Sequence, residues 1–247
     1  MIVRVRRDAI GAIVLDIEGT TTPIAFVRDV LFPYARRHLR EHLKQHGDSA
    51  ALRAVVAALR REWADDVARG DAPPIGDESE DALAVAAYVE WLMDRDRKSP
   101  PLKLLQGYIW EAGYRSGALV ADVFPDVRPA LARWRSSGIT VAIYSSGSAL
   151  AQRLLFSHTR DGDLTPYLDA FFDTAMGAKT SPASYRRIAS ALRGPTARLL
   201  FVSDARGELD AARYAGCRTL LSVRPGNVDQ PHDPADAIAS FDDVMVD

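Results

Sequence analysis

The pattern of apolar and polar positions changes twice along the chain and divides it into three parts. A short apolar run at 12–15, with the β-branched residues Ile13 and Val14 at its centre, favours a strand buried on both faces. Apolar residues then recur at helical spacing up to about residue 119. From about residue 120, β-rich runs alternate with helical stretches. This order predicts an α/β core formed by residues 1–22 and 120–247, with an α-helical domain, 23–119, inserted into it.

The inserted part is expected to consist of amphipathic helices with a small core of their own. The predicted segments are 24–39, kinked or restarted at Pro33; 52–67, ending near Gly70; 80–95; and a helix that opens at Pro100-Pro101. Proline and glycine between 71 and 79 indicate a loop. Three of the four tryptophans, Trp63, Trp91 and Trp110, fall in these segments. Their helical spacing predicts that they belong to the core rather than to a ligand platform.

The last part of the chain repeats the order strand, turn, helix. The predicted strands are 139–144, 197–202 and 218–223, with a shorter run at 170–173, and the predicted helices are 126–137, 149–156, 208–215 and one that starts near Ala183. Strands that alternate with helices predict a doubly wound parallel sheet, in which ligands bind beyond the carboxyl ends of the strands. The tail after Gln230 becomes apolar again at 238–241, so we expect it to dock on the core.

Composition and charge narrow the class of protein. Hydrophobic residues make up 47% and charged residues 26% of the chain, as in soluble globular proteins. The 31 basic and 33 acidic residues give a formal charge of −2, which offers no support for nucleic-acid binding. The single cysteine, Cys217, excludes an intrachain disulfide, and its position predicts a small buried residue rather than a reactive thiol. Residues 1–8 lack the apolar stretch of a signal peptide, and no apolar run reaches membrane-spanning length. We therefore expect a soluble, cytoplasmic protein that binds neither nucleic acid nor membranes.

Two carboxylates follow the first buried strand. Asp16 ends the run, and Glu18 comes two residues later, before Gly19 and three threonines. If the backbone stays extended, Asp16 and Glu18 lie on the same side. Carboxylates at a buried strand end are unfavourable unless something pairs with them, and a magnesium ion with a substrate phosphate is one such partner. The alternative is a strand end whose acids face solvent, and the motif alone favours neither.

The other predicted strand ends carry residues suited to phosphoryl transfer. Ser145 and Ser146 follow the strand at 139–144, Asp204 follows 197–202, and Lys179 lies in a loop before a helix. Together they supply a nucleophile, metal-binding carboxylates, hydroxyl and backbone donors, and a cation. The sequence has neither a P-loop nor a Gly-x-Ser-x-Gly elbow.

Three histidines in the insertion, His38, His42 and His46, are spaced four residues apart. No carboxylate stands at an obvious ligand spacing from them. We therefore interpret this stripe as a polar helix face rather than as a metal site.

The ordered motifs resemble those of the haloacid dehalogenase (HAD) superfamily, and more closely those of its enolase-phosphatase branch in methionine salvage. The superfamily resemblance rests on Asp16-Ile-Glu-Gly-Thr, Ser145, Lys179 and Ser203-Asp204. The resemblance to the branch rests on Asp16-Ile-Glu-Gly-Thr-Thr-Thr-Pro-Ile24, Val30-Leu-Phe-Pro-Tyr34, Leu105-Gln-Gly-Tyr-Ile-Trp110, Tyr144-Ser-Ser-Gly-Ser148 and Val223-Arg-Pro-Gly-Asn227. It covers nearly the whole chain, and it implies a HAD-like core with the helical insertion as a mobile cap.

The resemblance implies catalytic roles for three residues. Asp16 is the implied nucleophile, which forms an aspartyl phosphate. Glu18 stands where most of the superfamily has an aspartate that acts as general acid and base, as it does in the enolase-phosphatase branch, and it is our candidate base for enolisation. Lys179 neutralises charge on the nucleophile and on the phosphate.

The resemblance also implies ligands for one Mg²⁺ per chain and for the phosphate. Asp16, Glu18 through its backbone carbonyl, and Asp204 hold the metal, while Ser145 and the Ser146 backbone contact the phosphoryl group. Glu208 either supports the metal through water or is a helix N-terminal carboxylate favoured by the helix dipole.

The function that the resemblance implies is a magnesium-dependent enolase-phosphatase. Its substrate is 2,3-diketo-5-methylthiopentyl-1-phosphate, which is enolised and then dephosphorylated to 1,2-dihydroxy-3-keto-5-methylthiopentene (acireductone). Two alternatives are a HAD phosphatase with another small phosphate ester as substrate and a non-catalytic HAD binding module. The binding module is disfavoured because the nucleophile, the cation and the metal carboxylate are all present. We expect the enzyme to be a monomer.

Overall fold

The structure, a computed structural model, describes residues 3–5, 9–72 and 81–246. The chain forms two compact units. The core unit comprises Met1–Arg28 and Val120–Asp247, and the insert unit comprises Asp29–Leu119. Each is described separately below.

The core unit is built on a parallel sheet of six strands. In chain order these are β2 (Ala12–Leu15), β3 (Thr140–Tyr144), β4 (Ala170–Phe172), β5 (Leu199–Ser203), β6 (Arg218–Ser222) and β7 (Ala237–Ile238). Their order in the sheet is β4-β3-β2-β5-β6-β7, and every neighbouring pair is parallel. The first strand of the chain, β1 (Val3–Val5), pairs with the last, β8 (Val244–Val246), in a separate two-stranded ribbon. The predicted α/β fold with a parallel sheet is confirmed.

The helices of the core unit alternate with these strands. They are α1 (Ile24–Phe26), α6 (Val127–Ser136), α7 (Ala149–Ser157), α8 (Pro182–Ala191) and α9 (Arg206–Tyr214), with single 3₁₀ turns between them. Since β3 lies on one side of β2 and β5 on the other, the order of the strands reverses at β2. Parallel sheets of this kind bind ligands at the point where the strand order reverses. We therefore expect a ligand site at the carboxyl end of β2.

The central strands are apolar because both of their faces are covered. All residues of β2 and β5 are buried, as are four of the five in β3. Tyr144, Tyr185 and Phe201 pack ring against ring on one face, with Tyr185 and Phe201 edge to face at 5.0 Å. Cys217 is buried and belongs to the same cluster.

The tail of the chain docks on the core through a buried arginine, Arg224. Its guanidinium pairs with Asp126 at 2.8 Å and donates to the Thr20 carbonyl oxygen at 3.2 Å. It also lies 4.6 Å from the ring centres of Phe124 and Phe241. Arg224 and Asp126 are both largely shielded from solvent, so each charge depends on the other.

Replacing Arg224 with methionine is therefore expected to lower the free energy of unfolding by about 3–5 kcal/mol, because the Asp126 carboxylate loses its buried partner. Urea unfolding of the two proteins measures the change. Arg213→Met is the matched control, since Arg213 pairs with Asp210 at the surface, where an ion pair contributes roughly 0–1 kcal/mol. Equal stability changes in the two variants would show that the buried pair has no special role.

The insert unit is helical. Its helices are α2 (Phe32–His46), α3 (Ala50–Ala68), α4 (Ala86–Asp94) and α5 (Pro100–Arg115). A π-helical turn, Val27–Leu31, leads into α2, so the restart predicted at Pro33 occurs one residue earlier, with Pro33 in the first turn of the new helix. Ser49 and Ser99 cap α3 and α5 by accepting hydrogen bonds from the backbone. The predicted loop at 71–79 lies outside the described residues from 73 onward.

The predicted start of the helix at residue 80 was too early. Residue 80 itself lies outside the described part, and Ala82–Val85 forms a 3₁₀ turn before α4 begins at Ala86. Asp81 explains the shift, because its side chain accepts a hydrogen bond from the Leu83 N–H and caps the turn there.

A buried carboxylate, Asp66, ties three segments of the insert unit together. It accepts hydrogen bonds from the Tyr88 hydroxyl at 2.8 Å and from Arg97 at 3.2 Å, and it also pairs with Arg69. Its partners keep the pKa of this carboxyl below the ordinary value, although burial alone acts in the opposite direction.

No helix of the described residues is long and apolar enough to cross a membrane.

The three tryptophans do not share one environment. Trp110 is buried and donates to the Leu31 carbonyl oxygen at 2.8 Å. Trp63 and Trp91 are half-buried, and Arg95 lies 4.4 Å from the ring centre of Trp91. The prediction that all three belong to the core therefore holds fully only for Trp110.

Candidate active site

Asp16 lies just past the end of β2, at the reversal point of the sheet. Its backbone N–H donates to the Val202 carbonyl oxygen at 3.0 Å, which extends the pairing with β5 by one residue. The side chain is buried and fixed at both oxygens. Oδ1 accepts from the Ile17 N–H at 2.8 Å, and Oδ2 accepts from the Ser203 hydroxyl at 2.9 Å. A buried, oriented carboxylate at this point can attack an electrophile without first reorganising.

The chain turns away immediately after Asp16, so the condition for placing Asp16 and Glu18 on one side is not met. The N–H groups of Thr20, Thr21 and Thr22 all point to the Ile17 carbonyl oxygen, at 2.9–3.2 Å. Glu18 is exposed on this turn, whereas Asp16 is buried.

Gly19 makes the turn possible. Its φ is +64°, and a Cβ at this position would overlap the Asp204 carboxylate and lie 2.7 Å from Asn227 Oδ1. Gly19 therefore allows Asp204 to approach the loop that carries Glu18.

Lys179 bridges two carboxylates. Its Nζ lies 2.6 Å from Asp16 Oδ1 and 2.6 Å from Glu208 Oε2. The lysine backbone is held by the Tyr185 hydroxyl, which donates to the Lys179 carbonyl oxygen at 2.7 Å. The two carboxylates raise the pKa of Lys179 above its ordinary value, against the opposing effect of burial. The amine therefore stays protonated and supplies a fixed positive charge.

Glu208 and Ser203 join the same network. The Ser203 hydroxyl lies 2.9 Å from Asp16 Oδ2 and 3.0 Å from Glu208 Oε2, but it carries only one hydrogen. It can donate to only one of the two carboxylates unless the other is protonated. Burial, with the Asp16 charge as the second cause, raises the pKa of Glu208 from 4.5 to about 7. A proton on Glu208 would satisfy the second contact.

The structure adds two contacts to the roles predicted for Glu208, which were support of the metal through water and a helix N-terminal carboxylate. Glu208 lies in the first turn of α9, and its carboxylate is directed to Lys179 and Ser203.

The sequence motifs include Ser203 but assign it no role of its own. The signal that could have identified it is its place as the last residue of a buried strand, one position before Asp204.

The two serines predicted to contact phosphate begin the loop after β3, the neighbour of β2. Ser145 is buried and Ser146 is exposed. Ser145 N–H donates to the Phe172 carbonyl oxygen at 3.2 Å, and Gln152 Nε2 donates to the Gly147 and Phe172 carbonyl oxygens at 2.8 Å each. The loop is therefore tied to β4 by backbone contacts, and it leads directly into α7, whose N-cap is Ser148.

Comparisons with known proteins agree with this geometry. A family model for haloacid dehalogenase-like hydrolases matches residues 10–216. Enolase-phosphatase E1 of Synechococcus elongatus is 47% identical over 236 residues, which cover 96% of this chain and 98% of that protein. Enolase-phosphatase E1 of Pseudomonas aeruginosa is 44% identical over 238 residues, or 96% of this chain and 99% of that protein. The chain belongs to the enolase-phosphatase family of the HAD-like hydrolases. The family predicted from the ordered motifs is confirmed.

Solved structures show the same fold. The UTR4 protein of Saccharomyces cerevisiae superposes with a TM-score of 0.77 at 32% identity, covering 94% of this chain and 99% of that chain. CbbY of Rhodobacter sphaeroides, solved in complex with phosphate, gives a TM-score of 0.57 at 19% identity, covering 94% of this chain and 95% of that chain. At that identity the second likeness concerns the fold alone.

The carboxylate oxygens in the site of this enolase-phosphatase family member suit a magnesium ion that binds water and phosphate as its remaining ligands. The described residues contain no group of three or more His, Cys, Asp or Glu side chains that could hold a metal ion. They do contain two carboxylates, the buried Asp16 and the half-buried Asp204, next to the Glu18 turn. Burial, followed by the charges of Asp16 and Glu18, raises the pKa of Asp204 to about 6. A divalent cation would relieve this excess of negative charge, and Mg²⁺ takes few protein oxygens, with water and phosphate as its remaining ligands.

The raised pKa of Glu208 makes the stability of the metal-free protein depend on pH. Because the carboxyl ionises at about pH 7 when folded and near 4.5 when unfolded, rising pH favours the unfolded state between these values. We expect the Glu208 contribution to lower the free energy of unfolding by about 3 kcal/mol from pH 4.5 to pH 7. Glu208→Gln should remove this part of the decline, as measured by urea unfolding with a chelator present.

Glu41→Gln is the control for this experiment, because Glu41 is an exposed carboxylate of α2. An unchanged pH profile in Glu208→Gln would contradict the assignment of the raised pKa to Glu208.

Proposed function

We propose that the protein is a magnesium-dependent enolase-phosphatase of methionine salvage. It converts 2,3-diketo-5-methylthiopentyl-1-phosphate to acireductone, 1,2-dihydroxy-3-keto-5-methylthiopentene, and phosphate. The observation that carries the proposal is the buried Asp16 carboxylate, bridged to Glu208 by Lys179 at the reversal point of the sheet, with Asp204 beside it. The names of the curated relatives support the choice of substrate.

Asp16 is the proposed nucleophile for phosphoryl transfer. One of its carboxylate oxygens bonds to phosphorus as the bond from phosphorus to the substrate oxygen breaks, and Glu18 gives a proton to the leaving oxygen. Water then attacks the phosphorus of the aspartyl phosphate, and Glu18 takes the proton. Phosphate leaves, and Asp16 is regenerated as a carboxylate.

Enolisation precedes this transfer. The carbon that bears the phosphate loses a proton to the ionised Glu18, and the neighbouring carbonyl oxygen gains one from solvent, so the substrate is isomerised without any other change in composition. Glu18 then holds the proton that it gives to the leaving oxygen, and after turnover it releases the proton taken from water to solvent. Glu18 is the proposed base, because its side chain is exposed on the turn after β2. Lys179 is unsuited to that role, since its two carboxylate partners keep it protonated. It is instead suited to stabilise the enolate oxygen by its charge.

Magnesium, held by Asp16, the Glu18 backbone carbonyl and Asp204, would supply Lewis-acid stabilisation of the phosphoryl and enolate oxygens. Ser145 and the Ser146 backbone are the proposed phosphoryl contacts.

The roles of the two parts of the chain are also proposals. We assign catalysis to residues 1–22 with 120–247 and a cap function to residues 23–119. We further propose that the enzyme is a cytoplasmic monomer with one Mg²⁺.

A substrate panel tests the proposal. The diketone phosphate should be consumed with a kcat/KM at least about 100-fold above those of sugar phosphates, and a chelator should stop turnover until Mg²⁺ is restored. A preference for another phosphate ester would support a different HAD phosphatase. Absence of all turnover, together with failure to bind beryllofluoride in the presence of Mg²⁺, would support a binding module instead.

A further inference from the structure

The loop after β6, residues 223–230, contacts both segments that carry the proposed metal ligands. Three of its side chains donate to backbone carbonyl oxygens there. Arg224 Nε donates to Thr20 at 3.2 Å, Asn227 Nδ2 to Gly19 at 2.9 Å, and Gln230 Nε2 to Asp204 at 2.8 Å. The loop therefore fixes the Gly19 turn and the Asp204 backbone relative to each other. The sequence marked part of it, Val223-Arg-Pro-Gly-Asn227, without giving it a function.

The orientation of the Asn227 amide is dictated by its neighbours. Nδ2 donates to the Gly19 carbonyl oxygen at 2.9 Å and to the Ser222 carbonyl oxygen at 3.1 Å, which uses both of its hydrogens. If the amide were rotated by half a turn, Oδ1 would face two carbonyl oxygens with no hydrogen between them. The position of Oδ1 is therefore as well determined as that of Nδ2.

Asn227 Oδ1 is buried, and no side-chain or backbone donor of the described residues reaches it. It shares its surroundings with the Asp204 carboxylate, since both approach the point that a Cβ of Gly19 would occupy. A buried acceptor without a donor is unfavourable. Both acceptor oxygens lie close to Gly19, and a hydrogen-bond donor or a cation beside them would relieve this unfavourable arrangement.

We propose that Asn227 is a positioning residue of the cation site, whose Oδ1 accepts a hydrogen bond from a water molecule in the hydration shell of the magnesium ion at Asp204. The inference rests on the proposed function, because it requires that cation. An amide suits this place better than a carboxylate. It supplies an acceptor to the water and donors to two carbonyl oxygens, without adding charge to a site that already contains Asp16, Asp204 and Glu208.

The test is the affinity of the metal-free protein for Mn²⁺, used as a probe of the magnesium site and measured from the electron paramagnetic resonance signal of the free ion. Asn227→Leu keeps the branched shape of the side chain but removes Oδ1 together with Nδ2. We expect the Kd for Mn²⁺ to rise about 10-fold or more, as for other groups that orient metal ligands from the outer shell.

Ser222→Ala is the matched control. The Ser222 hydroxyl also donates to the Gly19 carbonyl oxygen, at 2.9 Å, but no hydrogen bond of the described residues joins it to the Asp204 carboxylate. We expect its Kd to stay within about threefold of the wild-type value, a change below roughly 0.7 kcal/mol. Circular dichroism with a chelator present checks that each variant is folded. If leucine prevents folding, Asn227→Val is titrated with the same expectation.

The outcomes separate the inference from the function on which it rests. A Kd for Asn227→Leu within twofold of wild type would overturn the role of Asn227 alone. An equal rise in the Kd for Mn²⁺ in Asn227→Leu and Ser222→Ala would also overturn this role. It would show that Asn227 only holds the Gly19 backbone in place. Failure of the wild-type protein itself to bind Mn²⁺ would instead overturn the proposed metal site.

Discussion

Asp16→Asn is expected to reduce phosphate release by at least about four orders of magnitude, the order of loss seen when an active-site nucleophile is removed. The neutral amide is a poor nucleophile, and no other described carboxylate has the same place at the end of β2. The variant should remain folded, because the amide oxygen can still accept from the Ile17 N–H and the amide nitrogen can donate to Ser203 Oγ. A phosphate-release assay and a thermal melt measure the two properties.

The control for this variant is Asp210→Asn, which removes an exposed carboxylate from α9 of the same unit. It should turn over at the wild-type rate. Turnover by Asp16→Asn within about 10-fold of wild type, with a preparation shown to be free of wild-type enzyme, would contradict the covalent mechanism.

Lys179→Met is expected to lower kcat for both enolisation and phosphate release by about 10³-fold. Removal of one preorganised stabilising group commonly gives a loss of 10²–10³-fold, and Lys179 serves both proposed steps. Without its charge, Asp16 and Glu208 also lose the cation that lies 2.6 Å from each of them. Absorbance of the enol phosphate, the intermediate between the two steps, and release of phosphate follow the two steps separately.

Lys98→Met is the corresponding surface change, because Lys98 pairs with Asp96 where both are exposed. Its rates should be unchanged. If Lys179→Met slowed phosphate release but left enolisation at the wild-type rate, the proposed role of Lys179 in stabilising the enolate would be wrong.

Much of the fold could be predicted because the central strands are buried on both faces. The strands β2, β3 and β5 are apolar apart from Thr140 and Ser203 at their ends, and such runs between polar turns leave few alternatives. The first and last residues of the strands and helices were less predictable. The strand expected from residue 197 begins at Leu199, because Thr196–Arg198 forms a 3₁₀ turn, and the helix expected from Glu208 begins at Arg206.

For the candidate site, the sequence predicted only which residue follows the end of which strand. Parallel pairing of β2 with β3 and β5 places Asp16, Ser145 and Asp204 at one edge of the sheet. Side-chain directions beyond the strands depend on turns that the alternation of residues does not specify. For this reason the outward turn at Glu18 could not be foreseen from spacing.

The partners of Lys179 could not be predicted either. They depend on where Tyr144 and Tyr185 hold the loop at 177–179, through bonds to the Gly177 and Lys179 carbonyl oxygens at 2.9 and 2.7 Å. The proximity of Asn227 to Asp204 has a similar origin. It follows from the approach of both side chains to Gly19, which lies about 200 residues earlier in the chain, and the sequence contains no local signal for such contacts.

The stereochemical course at phosphorus tests the central claim most directly. The measurement uses the phosphorothioate analogue of the diketone phosphate, made chiral at phosphorus with ¹⁶O and ¹⁸O, and determines the configuration of the thiophosphate that the wild-type enzyme releases in H₂¹⁷O. Transfer to Asp16 followed by attack of water comprises two in-line displacements, each of which inverts the configuration. The account therefore predicts overall retention. Inversion would show a single direct attack by water and would contradict the role of Asp16 as nucleophile.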